Sequence, residues 1–552
     1  MDLYAAVSRD GHASINHISG FKVYDVVVCS YKKIYATLDD PDGVAGVAAI
    51  RKEEPTLKDL ILENEATGDM QAAFASYEKA IKLYPNEVNH YCGLLKCFLA
   101  MDQPTTAVSY ANGILNERPE WKDDLNPFRI EAAWQLSNWE SLESYLEEEE
   151  NKEEWTVGIG NILYLANKKV EDVSGFEKCI NIIRSRQMAP LSAASMEKGA
   201  YLRGYEYLTR MHMLTDLQQG VKSIFNLNFP DSPSKKDSLF NEILPIMSLR
   251  RTLLQSSSRY QEPIHNLHRV LLKIGKEKMP EFSSRFDQEI TKCWLQNARL
   301  ARKNGFYQRA YSCLLEVESK NSADFFMEKT KWLWSKGEKE QAIYCLQKGI
   351  SEHFPSLQTK KISSLNLTTE DQLICAKAKL LLAMYSEESS IVDSSSLIEM
   401  YKEVVSLQPD WEASHFHLAK YYDKMLNTTE TLDSKAEIMV KIVRNFGTSL
   451  KHGCKNVYHS LPRLLDIWFD LGTLQSDDNG NSSKKLTNSW KLAAACLDRI
   501  SNMVQELYGS VPPYLFLTAF PQLISRICHS HPSVSGTLQV IYFLNRGFVL
   551  DL

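Results

Sequence analysis

The chain has little glycine or proline: 24 and 19 residues among 552, together under a tenth of the total. Long uninterrupted segments are therefore free to be helical, and breaks should cluster where these residues do. No alternating apolar–polar pattern is sustained anywhere, which excludes a sheet-based fold. No apolar run reaches the roughly 18–20 residues that a membrane-spanning helix needs. The net charge of −6 leaves no basic surplus, so the electrostatic footprint of a nucleic-acid binder is missing. Cysteine occurs 11 times, an odd number, without a single CxxC pair. Cys97, Cys313, Cys345 and Cys496 sit in apolar helical stretches and read as small buried hydrophobes of a reducing compartment. The Asn-x-Ser/Thr triplets at Asn366, Asn427 and Asn481 are incidental in that setting.

Chemistry is scarce too. The nearest approaches to a phosphate-binding loop, Gly43/Gly46 and Gly158/Gly160, lack the Lys-Ser/Thr that holds nucleotide phosphates. The glycine-rich loop, catalytic-loop Asp with its Asn, and Asp-Phe-Gly metal ligand of a protein kinase are all missing. Cys528, His529 and His531 suggest zinc, but two-residue spacing puts the histidines on different helix faces and no second ligand pair follows. His415 and His417, flanking Phe416, fail for the same reason. Trp332 and Trp334 read as inter-helix packing and not as a stacking platform. Arg299, Arg302 and Lys303 share a helical face by their spacing, with Arg309 nearby. That face is either solvated and salt-bridged or a contact for an anionic partner. The acidic run Glu147–Glu150 with Lys152, Glu153 and Glu154 reads as a solvated inter-helix loop.

What is present is repetition. Gly68, Ala73, Tyr77, Ala80 and Pro85 have the spacing of the second half of a tetratricopeptide-type repeat, and Ala107 and Pro119 follow Ala73 and Pro85 by 34 residues. A small residue lets antiparallel helices approach, an aromatic fills the gap between repeats, and a proline stops the second helix. Gly305, Ala310, Cys313 and Leu314 recur 32 residues on as Gly337, Ala342, Cys345 and Leu346. The expected fold is all-α, an α-solenoid of degenerate tetratricopeptide/HEAT-like hairpins. Such arrays are scaffolds and binding surfaces far more often than active sites. Val26–Cys29 is compatible with strand or helix, and residues 39–43 read as a turn. The repeats begin near Leu57, and Trp134, Leu136, Trp139, Leu142 and Tyr145 have amphipathic spacing. Loops are expected near 228–237, 355–370, 387–396 and 476–485.

Residues 461–472, LPRLLDIWFDLG, resemble the signature segment of the FAT domain of the phosphatidylinositol 3-kinase-related protein kinases. The positions that carry it are Leu461, Pro462, Arg463, Leu464, Leu465, Trp468, Asp470 and Gly472. Residues 513–531, with Gln522, Arg526 and His529, resemble the family's next signature. LDDPDGVAGVAAI at 38–50, PLSAASMEKGAYLRGYEY at 190–207, KWLWSKG at 331–337 and HLAKYYDK at 417–424 point to the checkpoint branch of that family. The resemblance covers 38–531; 1–37 match poorly, and 532–552 read as an atypical apolar tail of a fragment or mis-spliced product.

The resemblance implies a regulatory scaffold of a nuclear serine/threonine kinase that answers DNA damage and replication stress. It implies association with that protein's catalytic domain and with activator and adaptor proteins, and homodimer contacts in the full-length protein; nucleic acid and membrane are not expected as direct partners. ATP with Mg or Mn would belong to the catalytic domain, and no cofactor is expected in this chain. The alternative is a free-standing helical-repeat adaptor that binds peptides or proteins.

Overall fold

A computed structural model describes residues 30–550 except 37–39, 51–54, 150, 152, 169–172, 197–200, 225–241, 256, 320–321, 356–368, 430 and 477–487. Val26–Cys29 and most of the expected loops at 228–237, 355–370 and 476–485 lie outside the described residues. No strand occurs among the described residues. The chain is all-α, a run of antiparallel helical pairs, and it divides into two compact units, 1–320 and 321–552.

The first unit contains α1 (Pro41–Ile50), α2 (Leu57–Thr67), α3 (Met70–Leu83), α4 (Val88–Ala100), α5 (Pro104–Glu117), α6 (Lys122–Leu136), α7 (Trp139–Glu147) and α8 (Trp155–Lys168). It continues with α9 (Val173–Met196), α10 (Tyr201–Ile224), α11 (Leu244–Leu253), α12 (Ser258–Lys278), α13 (Ser283–Lys303) and α14 (Tyr307–Glu318). The first repeat shows why these residues fold this way. Thr56 and Asp59 form a capping box that starts α2 at Leu57. Gly68 ends it in the left-handed region, at φ 76°, and the Asp69 carboxylate caps α3 by accepting from the Ala72 N–H at 3.0 Å. Ala73, Tyr77 and Ala80 bury one face of α3. The Tyr77 ring lies against Gly93 of α4, where an added Cβ would come within 2.2 Å of it. This is the small-against-aromatic contact that the repeat pattern predicts. Pro85 follows the end of α3, and Pro119 opens a short 3-10 turn, Pro119–Trp121, after α5.

Gly305 and Gly337 both adopt positive φ, 82° and 98°, at helix breaks. In the first unit Ala310, Cys313 and Leu314 are buried; in the second Ala342 and Leu346 are buried and Cys345 half-buried. The second unit contains α15 (Ala323–Lys336), α16 (Lys339–His353), α17 (Thr369–Glu388), α18 (Ser394–Leu407), α19 (Glu412–Leu426), α20 (Leu432–His452), α21 (Val457–Ser476), α22 (Asn488–Ser510), α23 (Tyr514–Leu517), α24 (Phe520–Ser525) and α25 (Pro532–Leu550). One continuous apolar core runs through it from Phe326 to Ile541.

The amphipathic stretch Trp134–Tyr145 is, as expected, a helical pair: Ser137, in the left-handed region at φ 61°, separates α6 from α7, and Trp134, Leu142 and Tyr145 are buried. Three expectations are corrected. The turn read at 39–43 is, over its described part 40–43, a helix start: Asp40 accepts from the Gly43 N–H at 3.0 Å, and Pro41 supplies a fixed φ to the first helical position. The loop at 387–396 shrinks, because α17 runs to Glu388 and Asp393 caps α18 at Ser394. The tail 532–552 is not an unfitted appendage over its described part. It begins α25, which packs on α22, α23 and α24 and buries Val534, Leu538 and Ile541 at helical spacing.

Candidate functional site

Residues 461–472 lie on α21 and form the centre of the second unit's core. Leu461, Leu464, Leu465 and Trp468 recur at three- and four-residue spacing, so one helix face carries them all into the interior. Trp468 is fully buried, and its indole N–H donates to Ser501 Oγ of α22 at 3.0 Å. A buried indole needs such a partner. Arg463 projects from another side of α21 and forks onto the Asp423 carboxylate of α19, with three N–O distances of 2.9–3.1 Å. Asp423 belongs to the HLAKYYDK segment, so two of the recognised strings meet in one bidentate ion pair.

The second signature returns onto the same helix. Gln522 donates from Nε2 to the Pro462 carbonyl at 3.0 Å and to the Asp466 carboxylate at 2.6 Å. The His529 Nδ1 accepts from the His531 N–H at 3.0 Å. Its Nε2 is therefore the protonated nitrogen, 3.2 Å from both the Phe469 carbonyl and Thr473 Oγ. Burial holds the His529 pKa below its ordinary value. Gly472 lies under this ring; a Cβ there would approach His529 Cε1 to 2.9 Å. Asp470 and Arg526 stand at the surface. Partial burial, then the charge of Asp466, raises the Asp470 carboxyl above its ordinary value, and Arg463 and then Arg526 oppose this.

The other candidates resolve individually. Arg299 and Lys303 are exposed and Arg302 half-exposed on α13, but Arg309 does not join them. It pairs with buried Glu262 on α12 at 2.7 Å. Cys528 is exposed, and no group of three or more His, Cys, Asp or Glu placed to hold a metal occurs among the described residues. His415 is tied to the Pro409 carbonyl at 2.9 Å and Asn445 Oδ1 at 3.2 Å; burial pushes His417 down to about 4. Trp332 is buried, and Trp334 stacks on Tyr385 with ring centroids 3.8 Å apart. The acidic run between α7 and α8 is engaged with its surroundings: Glu148 with Arg129 at 3.4 Å, Glu149 with Asn126 at 2.9 Å, and Glu153 with Arg186.

A buried polar seam in the first unit escaped the sequence reading. On α12, Glu262, His265, Asn266, His268 and Arg269 are all buried. His268 meets Asp216 of α10 at 2.9 Å, and Asp216 also binds Arg250 at 2.5 Å. His265 meets Asn297 of α13 at 2.5 Å. Burial pushes His265 down to about 3 and lowers His268 although Asp216 opposes it. Burial likewise raises the Cys293 thiol and lifts Cys313 to about 12. Burial thus holds both thiols in the protonated form. The spacing of Glu262, His265, Asn266 and Arg269 marks one helix face; it resembles a solvated stripe until its partners are known.

The family model described as the FAT domain matches residues 126–466, and one described as serine/threonine-protein kinase ATR-like, HEAT repeats, matches 499–544. The second match reaches into the tail that was expected to depart from the family. The serine/threonine-protein kinase ATR of Arabidopsis thaliana is 26% identical over 91% of this chain and 20% of its own length. The corresponding Drosophila melanogaster protein is 23% identical over 90% of this chain and 19% of its own length. Protein kinase rad3 of Schizosaccharomyces pombe is 24% identical over 92% of this chain and 21% of its own. The chain thus spans about a fifth of the length of the curated relatives it matches. Among solved structures, yeast Tom70 aligns over 84% of this chain and all of its own at 11% identity, with a TM-score of 0.30.

Proposed function

This chain belongs to the FAT-domain family, and from that premise we propose that it is the regulatory scaffold of an ATR-like serine/threonine kinase. In this reading it cradles the catalytic domain and relays the binding of activator and adaptor proteins in DNA-damage and replication-stress signalling in the nucleus. ATP and its Mg or Mn would be held by the catalytic domain. The observation that carries the reading is the use made of the signature residues. Trp468, Arg463, Gln522 and His529 all bind other helices of the chain. A segment so used sets the relative positions of helices. Partner binding would then act by differential contact with two arrangements of the kinase.

Co-expression with the catalytic domain of a related ATR-like kinase tests this. The two should co-elute in size-exclusion chromatography. Separate elution at micromolar concentration, with both proteins folded by circular dichroism, would overturn the scaffold reading. It would leave the helical-repeat adaptor as the better account. The feature favouring an adaptor is a cleft of about 460 Å³ lined by Asn112, Asn116, Lys122, Arg129 and Glu148, the last paired with both cations.

A further inference from the structure

Among the described residues three helix breaks use glycine at positive φ, Gly68, Gly305 and Gly337, and two use serine, Ser137 and Ser390. The break between α4 and α5 has the same local geometry but an aspartate. Asp102 adopts φ 57°, and its N–H bonds to the Leu99 carbonyl at 3.0 Å, while the Gln103 N–H bonds to that of Phe98. Glycine suits this position best, and aspartate is among the few other residues that adopt it. Asp102 is also nearly buried, its side chain 11% exposed. A desolvated carboxylate needs a compensating contact.

The contact lies 167 residues on. Asp102 Oδ1 stands 3.4 Å from the Arg269 guanidinium of α12, which is itself 8% exposed. Arg269 is held ready for it: it lies 3.4 Å over the Trp294 ring of α13 and donates to Asn266 Oδ1 at 2.7 Å. Glu262 and Lys273 of α12 and Cys313 of α14 also feel the Asp102 charge. The turn is therefore inserted into the polar seam. In a solenoid each repeat ordinarily contacts only its neighbours, but α12 also packs on α6 and α8, and the Asp102–Arg269 pair adds a buried charge contact from the α4–α5 turn to that long-range interface.

We propose that the α4–α5 turn is a latch, in which Asp102 fastens the hairpins α2–α5 to α12–α14 and whose opening frees those hairpins without unfolding them.

Hydrogen exchange on the full chain tests the latch with two variants. Asp102→Asn keeps the shape and removes the charge. Asp102→Gly removes the charge and relieves the backbone. Both should speed exchange about tenfold in α12 over 266–273 and in α14 over 309–316, as expected for local opening. Protection in α20–α22 should stay the same. If the aspartate serves only the turn, Asp102→Gly will leave α12 and α14 as protected as before, and the proposal fails. Loss of protection throughout 57–320 in either variant also overturns it, since Asp102 would then be needed for folding and would not be a latch.

Discussion

Trp468 combines full burial with a polar handle, and the two contributions can be separated. Truncation to alanine removes the apolar volume and should cost about 3–5 kcal/mol in denaturant melts. Ser501→Ala removes only the acceptor of the indole N–H and should cost about 1–2 kcal/mol. Equal effects would place the hydrogen bond, and not the packing, at the centre of this joint. Glu131 on α6 offers a pH test. Burial, then the charge of Glu154, raises its carboxyl to about 7. A folded-state pKa above the unfolded value makes stability greatest below about 4.5 and progressively lost as pH rises through about 7. Glu131→Gln keeps a group able to accept from Gln135 and removes the ionisation. It should be more stable than the parent by about 1–3 kcal/mol at pH 8 and indistinguishable near pH 4. His265, held down to about 3, acts in the opposite sense: its contribution is present above about 6.5 and lost as pH falls towards 3.

At the scale of helices, two glycines of adjacent elements predict opposite signs. Gly93 of α4 faces the Tyr77 ring, so Gly93→Ala must push helices or ring apart and should destabilise by about 1–3 kcal/mol. Gly113, mid-helix in α5, has nothing within 4 Å of an added Cβ. Gly113→Ala should stabilise by about 0.5–1 kcal/mol through helix propensity alone. Melting curves of the pair check both, and a stabilising Gly93→Ala would show that the aromatic does not fill this gap. In α25, Leu538 is buried against the neighbouring helices, so Leu538→Ala should cost about 2–4 kcal/mol. An unaffected melt would restore the expectation of an unfitted tail.

For the whole chain the expected outcome is no phosphoryl transfer: purified protein, incubated with labelled ATP and a protein substrate, should give no signal above a buffer control. Transfer that survives removal of co-purifying kinases would contradict the scaffold reading. The primary structure by itself determined the fold class, the hairpin register and the family. Proline, glycine and small–aromatic spacings act through neighbours within one or two turns, so Pro85, Pro119 and Gly68 were readable where they stand. The buried face Leu461–Trp468 was readable because its periodicity is local. Capping was harder: Asp40 and Asp393 look like turn residues until the following helix is known. Only the tertiary structure decided what Arg463, Glu262, His268 and Asp102 do. Their partners Asp423, Arg309, Asp216 and Arg269 lie between 40 and 167 residues away. A charged residue on a helix face has the same local pattern whether water or another helix covers it, and the folded packing alone makes that choice.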